Sequence, residues 1–128
     1  MDQAKGNGAT PLLILAEHGH LDVVHALVAA GASVDQAAES GDTPLLISAA
    51  NGRLDVVRAL VAAGASVDQA DENGATPLLV SAELGYLEVV RALLAGGADK
   101  SAVDAWGGMA MALARERGHH EVVALLSE

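Results

Sequence analysis

The chain has 128 residues, of which only seven are Lys or Arg, and a formal net charge of -10. Because phosphate binding needs clustered cations, this balance argues against nucleic acid as a partner and weakly favours a basic protein or peptide. No cysteine is present, so neither a disulfide framework nor a cysteine zinc site is expected. No apolar run reaches the roughly 20 residues of a membrane helix, and the first residues lack a signal-peptide pattern. We therefore expect a soluble intracellular protein, cytoplasmic or nuclear, without a membrane partner.

The chain is built from copies of one 33-residue unit. Residues 43–75 match residues 10–42 at roughly 25 of 33 positions, and residues 76–108 match more loosely. Such self-similarity predicts units that each contact mainly their neighbours. We expect one solenoid domain with the following parts: a lead-in over 1–9, repeat 1 over 10–42, repeat 2 over 43–75, repeat 3 over 76–108, and a partial C-terminal capping repeat over 109–128.

Each unit predicts two helices followed by a protruding loop. In repeat 2, Thr43 is placed to cap a helix that has Pro44 in its first turn and ends near Gly52. A second helix near 54–63 has apolar side chains at three- and four-residue spacing on one face, namely Leu54, Val57, Leu60 and Val61. The polar segment after it ends in Asp-Glu-Asn-Gly at 71–74, which is typical of a hairpin-like turn. Because each helix pair has an apolar face that it cannot bury alone, the pairs should stack side by side.

The sequence resembles the ankyrin repeat family from about Thr10 to Leu126. The resemblance rests on the period, the Thr-Pro-Leu opening, the Gly-(His/Arg/Tyr)-Leu-(Asp/Glu)-Val-Val middle and the Gly-Ala-(Ser/Asp) end. It implies an all-α fold, an ankyrin-type repeat solenoid of stacked helix-turn-helix units with protruding hairpin-like loops. The family usually places a histidine after Thr-Pro-Leu that ties the loop to the helix, whereas this chain has Leu13, Leu46, Leu79 and Ala112. Either the loops are held less firmly, or apolar packing fills the slot.

The two ends of the array differ. Met109 replaces the capping threonine of the last unit, so its first helix should start less sharply. Polar residues make that unit typical of a cap, namely His119, His120, Glu121, Ser127 and Glu128. The first unit is nearly a copy of an inner one, which leaves Val23, Leu27 or their neighbours exposed. Either the chain is cut from a longer array, or another chain meets this end.

The resemblance implies a non-catalytic module that binds a protein or peptide on its loop tips and on the concave face of its first helices. Residues that differ between copies fall there, and we expect the partner-binding residues among them: Glu17, His18, Glu39, Ser40, Asp42, Asn51, Glu72, Asn73, Glu83, Leu84, Tyr86 and Trp106. The acids among them would give this face a negative field that steers a basic partner, although solubility explains them equally well. Solvent-exposed positions that nothing selects would vary in the same way.

Trp106 is the strongest single candidate for a partner-binding residue. It occupies a loop tip where other copies carry Ser40 and Asn73. Tryptophan is enriched among residues that dominate binding energy, so an exposed Trp106 would be a contact anchor. In the alternative interpretation, its ring folds back over the last repeat as part of the cap.

Nothing in the sequence points to catalysis, a cofactor or a metal. The three histidines of repeat 1 match no catalytic or zinc spacing and are expected to be surface residues. Two alternatives to a binding module stay open. The first is an engineered, reconstructed or recently duplicated scaffold array without an evolved partner, favoured by the near-identity of repeats 1 and 2. The second is self-association: a monomer is expected, and a homodimer through the uncapped repeat 1 is its alternative.

Overall fold

The computed structural model describes residues 10–128; the predicted lead-in over 1–9 lies outside the described residues. Within residues 10–128 the chain forms helices and no strand, although an isolated antiparallel bridge joins Val103 and Met109. The helices are α1 (Pro11–His18), α2 (Leu21–Ala29), α3 (Pro44–Ala50), α4 (Leu54–Ala62), α5 (Pro77–Leu84), α6 (Leu87–Ala95), α7 (Ala110–Glu116) and α8 (His120–Leu126). The predicted all-α fold is confirmed.

The first helix of each of the first three pairs starts as the Thr-Pro signal predicts. The hydroxyl oxygens of Thr10, Thr43 and Thr76 accept hydrogen bonds from the backbone N–H three residues on, at 3.2, 3.1 and 3.2 Å. This satisfies a donor that a helix start otherwise leaves unpaired. Met109 makes no side-chain capping bond at the start of α7. The capping bond is therefore lost as predicted, but α7 still begins at the position equivalent to Pro11, Pro44 and Pro77, and the backbone of Met109 has the same extended conformation as the capping threonines.

The helices pack in two layers. The first helices α1, α3, α5 and α7 contact one another in sequence, as do the second helices α2, α4, α6 and α8. All four side chains predicted on the apolar face of α4 contact the core: Val57 and Leu60 are fully buried, and Leu54 and Val61 are half-buried against it. Val56 lies outside the predicted face and is also fully buried, so α4 contributes a second apolar face that the sequence did not predict.

Apolar packing fills the slot in which the family usually has histidine in the first three repeats, whereas Ala112 in the last unit is exposed. Leu13, Leu46 and Leu79 are buried, with at most 2% of their surface exposed. The buried hydroxyls two positions further on are satisfied within their own helices, since Ser48 Oγ donates to the Leu45 carbonyl at 3.0 Å and Ser81 Oγ donates to the Pro77 carbonyl at 2.8 Å. The serines thus add polar groups to the core without leaving them unpaired.

The segments between helix pairs end in hairpins, as predicted. In each, a backbone N–H donates to the carbonyl four residues on: Ala38 to Asp42, Asp71 to Ala75 and Asp104 to Gly108, at 3.0, 3.0 and 3.1 Å. Neighbouring hairpins are tied by a backbone hydrogen bond, from Glu72 N–H to the Ser40 carbonyl at 3.0 Å and from Ala105 N–H to the Asn73 carbonyl at 2.8 Å. The hairpins therefore form a continuous row along one edge of the helix layers.

A second set of ties joins the segments that lead to the hairpins. The Asp35 carboxylate accepts hydrogen bonds from Ser66 N–H at 2.9 Å and Ser66 Oγ at 3.0 Å, and the Asp68 carboxylate accepts one from Asp99 N–H at 3.0 Å. Asp99 stands at the position that Ser66 has in the preceding repeat, so the contact with Asp68 lacks the hydrogen bond from a hydroxyl group. The Asp99 carboxylate instead accepts hydrogen bonds from the hydroxyl and the backbone N–H of Ser101. These bonds lower the pKa of Asp99.

A matched pair of glycine substitutions tests the hairpin row. Gly41 and Gly64 both have left-handed backbone, with φ of 88° and 91°. A Cβ at Gly41 would lie 2.8 Å from Asp71 Cα, whereas a Cβ at Gly64 would meet nothing within 4 Å. Both alanine variants carry about 1 kcal/mol of backbone strain. We expect Gly41→Ala to lower the free energy of unfolding by about a further 1 kcal/mol, because it displaces the next hairpin and its hydrogen bond.

Urea unfolding followed by circular dichroism measures the difference, with Gly64→Ala as the control for strain. Equal losses in the two variants would mean that the hairpin row adds nothing to stability.

Candidate functional site

A groove lies between the first helices and the hairpin row. It consists of two adjoining depressions of about 360 and 340 Å³, which share Glu17, Asp42 and Ile47. The first depression is bounded by the hairpin over 38–42, and the second extends to Asp71 and Val80. The sharing of residues makes the two depressions one surface, which runs across α1, α3 and α5.

The floor of the groove is aliphatic. Ile14, Ile47 and Val80 occupy the same position in α1, α3 and α5, and all three are half-buried. Each lies beside a buried leucine of the Thr-Pro-Leu-Leu segment, so the helix packing that buries the leucine also fixes the direction of the floor residue. The floor offers apolar area that a partner can remove from water.

Acids line the groove above this floor. Glu17 is exposed at the end of α1, and Asp42 and Asp71 are half-buried in the hairpin row. Asp42 accepts a hydrogen bond from Ser40 Oγ at 2.8 Å, and one oxygen of Asp71 accepts from two backbone N–H groups. The ion pairs within residues 10–128 are Arg91–Glu88 and Arg117–Glu83, so none of these three carboxylates is in an ion pair there, although Arg53 Nε donates to the backbone carbonyl of Glu17. We call Glu17, Asp42 and Asp71 the acidic set.

The side chains change towards the C-terminal end. Glu83 pairs with Arg117 at 3.4 Å, and the neighbouring Leu84 is exposed. Trp106 is 78% exposed at the tip of its hairpin, where its backbone N–H donates to Asp104 Oδ1 at 2.9 Å. The interpretation in which the ring folds back over the cap is therefore wrong. The Asp104 turn holds the backbone in place and leaves the indole in solvent.

The residues predicted from the sequence fall into four places. Glu17, Glu39, Ser40, Asp42 and Asn51 line the groove. At the exposed hairpin tips lie Glu72, Asn73 and Trp106, and at the ends of first helices lie His18, Glu83 and Leu84. Tyr86 contacts the preceding helix pair instead. The prediction did not include Asp71 and the aliphatic floor, which are Ile14, Ile47 and Val80.

Tyr86 takes part in a row of contacts between neighbouring helix pairs. A Cβ at Gly52 would lie 3.0 Å from its ring, so the ring packs directly over that glycine. Arg53 lies over Gly19 in the same way, and its Nε donates to the Glu17 carbonyl at 3.1 Å. The His119 ring covers Gly85. Because Tyr86 is also exposed, its outer edge stays accessible, but its packing explains its position without a partner.

Within the described residues, no group of three or more His, Cys, Asp or Glu side chains is placed to hold a metal ion. The rings of His18 and His20 lie 6.2 Å apart and tilted, as neighbours on an exposed surface. What the groove offers is carboxylates, amide and hydroxyl groups over an aliphatic floor. Such a surface can hold a chain of complementary charge.

Comparison with known families agrees with this architecture. The sequence model described as ankyrin repeats (3 copies) matches residues 1–71 and 63–128. The chain belongs to the ankyrin repeat family. Ankyrin repeats are generally protein–protein interaction modules, and the family is generally non-catalytic. No curated protein matches the chain. Among the helices over 10–128, none is long and apolar enough to cross a membrane.

Proposed function

We propose that this ankyrin repeat chain is a non-catalytic binding module that holds a basic protein or peptide in its groove and against its hairpin tips. The observation that carries the proposal is the acidic set, three groove carboxylates without a cation partner among the described residues. A cationic partner gains from this field both in encounter rate and in specificity. The aliphatic floor then contributes affinity that salt does not screen.

The test compares two triple variants with the same change in charge. One removes the acidic set as Glu17→Gln, Asp42→Asn and Asp71→Asn. The other is the control, Asp22→Asn, Asp55→Asn and Glu121→Gln, which changes exposed acids in the first turns of α2, α4 and α8. Proteins retained by the immobilised chain at low salt are expected to be basic, to bind the groove variant at least about tenfold more weakly, and to bind the control unchanged.

Equal binding by both triple variants would contradict the groove as the site. Absence of any retained protein would favour the array without an evolved partner.

A second candidate function is self-association through the outer face of α2. Val23 is 47% exposed, whereas Val56, Val89 and Val122, at the same position of α4, α6 and α8, which each follow another pair, are buried. Exposure of this valine is what a homodimer through repeat 1 requires. A solution mass of one chain at every concentration tested by light scattering contradicts this candidate.

A further inference from the structure

The groove changes chemically along its length. The hairpin tips carry Glu39 and Ser40, then Glu72 and Asn73, but in the last hairpin Ala105 and Trp106. The acids at the first two tips add to the acidic set, which lies at the same end of the groove. The last tip itself has no charge, and the one acid of that hairpin is Asp104, which occupies the position of Asp71 and accepts hydrogen bonds from the backbone N–H groups of Trp106 and Gly108. The row of tips is therefore acidic and polar at one end and apolar at the other.

The last hairpin also exposes apolar side chains at its base. Val103 and Met109 face each other across the antiparallel bridge, and both are exposed, as is Trp106 at the tip. At the positions of Val103 and Met109, the preceding hairpin has Ala70 and the buried Thr76. We call residues 103–109 the apolar hairpin. No other described hairpin presents large apolar side chains to solvent.

The charged side chains also differ between the two ends of the groove. The acidic set has no cation partner within residues 10–128, whereas Glu83, towards the other end, is paired with Arg117. Arg115 and Arg117 both lie exposed at the end of α7. Glu116, at the position that Glu17 has in α1, lies exposed between these two arginines. The end of α7 therefore carries two cations and one acid, whereas the acidic set carries three acids, so a cation is attracted more strongly over the first two repeats. The field favours one placement of a charged segment over its reverse.

Resting on the proposed function, we propose that the partner is a single segment of two unlike parts bound in one register. Its basic side chains lie over the acidic set, and a large apolar side chain packs against Trp106 and the apolar hairpin. Two steps of about 10 Å between stacked helices separate the hairpins of Asp42 and Trp106. About 14 helical residues or about six extended residues span that distance.

The experiment selects 16-residue peptides from a random display library on the intact chain. The strongest binders are synthesised whole and as two halves. Their affinities are measured by calorimetry against the parent chain, Glu17→Gln/Asp42→Asn, Trp106→Ala and the control Asp22→Asn/Asp55→Asn. Trp106 is the one tryptophan in the sequence, so its fluorescence reports contact at the apolar hairpin directly.

We expect binders with Lys or Arg grouped at one end and a large apolar residue at the other. The groove double variant and Trp106→Ala should each weaken whole peptides at least about fivefold, and the control should not. The basic half should stay sensitive only to the groove variant. The apolar half should stay sensitive only to Trp106→Ala and should still change the fluorescence.

Two failures are distinguishable. Binders that are weakened by the groove variant, but whose basic and apolar residues are mixed or whose halves respond alike to both variants, overturn the two-part register and leave the proposed function standing. Peptides that are insensitive to the groove variant, or a selection without binders, overturn the proposed function and the register together.

Discussion

Lysine in place of Val56 is expected to lower the free energy of unfolding by at least about 3 kcal/mol, because it buries a cation without a partner. Val56 is 1% exposed between neighbouring helix pairs. A domain of ordinary stability has about 5–15 kcal/mol in total, so the loss is a large share of it. Val56→Lys should therefore unfold at a much lower urea concentration than the parent chain.

The matched variant is Val23→Lys. It makes the same chemical change at the same position of α2, where the side chain is 47% exposed. A lysine there can keep its ammonium group in water while its stem covers apolar surface. We expect the free energy of unfolding to change by no more than about 0.5 kcal/mol.

Urea unfolding of both variants at several protein concentrations measures the contrast. A tolerated lysine at 56 would contradict the packing between repeats 1 and 2. A large loss at 23 would mean that the outer face of α2 is covered, and light scattering of the same samples would tell whether a second copy covers it.

Leu46→Ala is expected to lower the free energy of unfolding by about 3 kcal/mol, within the range for deleting a buried leucine side chain. Leu46 is 2% exposed and fills the slot in which the family usually has histidine. Its removal leaves a cavity next to the Thr43 cap, whose hydroxyl accepts from the Leu46 N–H. Helix propensity is not the cause, because alanine is the better helix former.

Leu84→Ala is the matched control, since the same atoms are removed near the end of α5 where the side chain is exposed. A change of less than about 0.5 kcal/mol is expected there. Thermal unfolding of both variants gives the two values. A loss at position 46 no larger than at position 84 would show that the slot is not filled by tight apolar packing.

The local parts of the fold could be predicted because they depend on neighbours in sequence. The Thr43 cap needs only the N–H three residues on, and the left-handed backbone at Gly52 needs only a residue without a side chain. The turn at 71–74 forms its own hydrogen bonds in the same way. Each of these signals is complete within a few residues, so the sequence contains all of it.

Contacts between repeats could not be predicted in this way. Val56 is buried although Val23, at the same position of repeat 1, is exposed, and Tyr86 covers Gly52, which lies 34 residues earlier in the chain. Asp71 was predicted to form a turn, and it does. Its carboxylate also lines the groove, because the hairpin row meets α3 there, and this contact is not visible in the sequence. Periodicity assigned Ile47 to a helix without telling whether it faces the core or the groove.

The row of side chains over glycines has a consequence for how such an array diversifies. Arg53, Tyr86 and His119 occupy one position and differ in charge, size and hydrogen bonding, yet each covers the glycine of the preceding pair. The contact between neighbouring repeats thus accepts unlike side chains as long as the residue beneath them is glycine. A Cβ on any of these glycines would meet the side chain above it, so the covering residue can change between repeats while the glycine cannot.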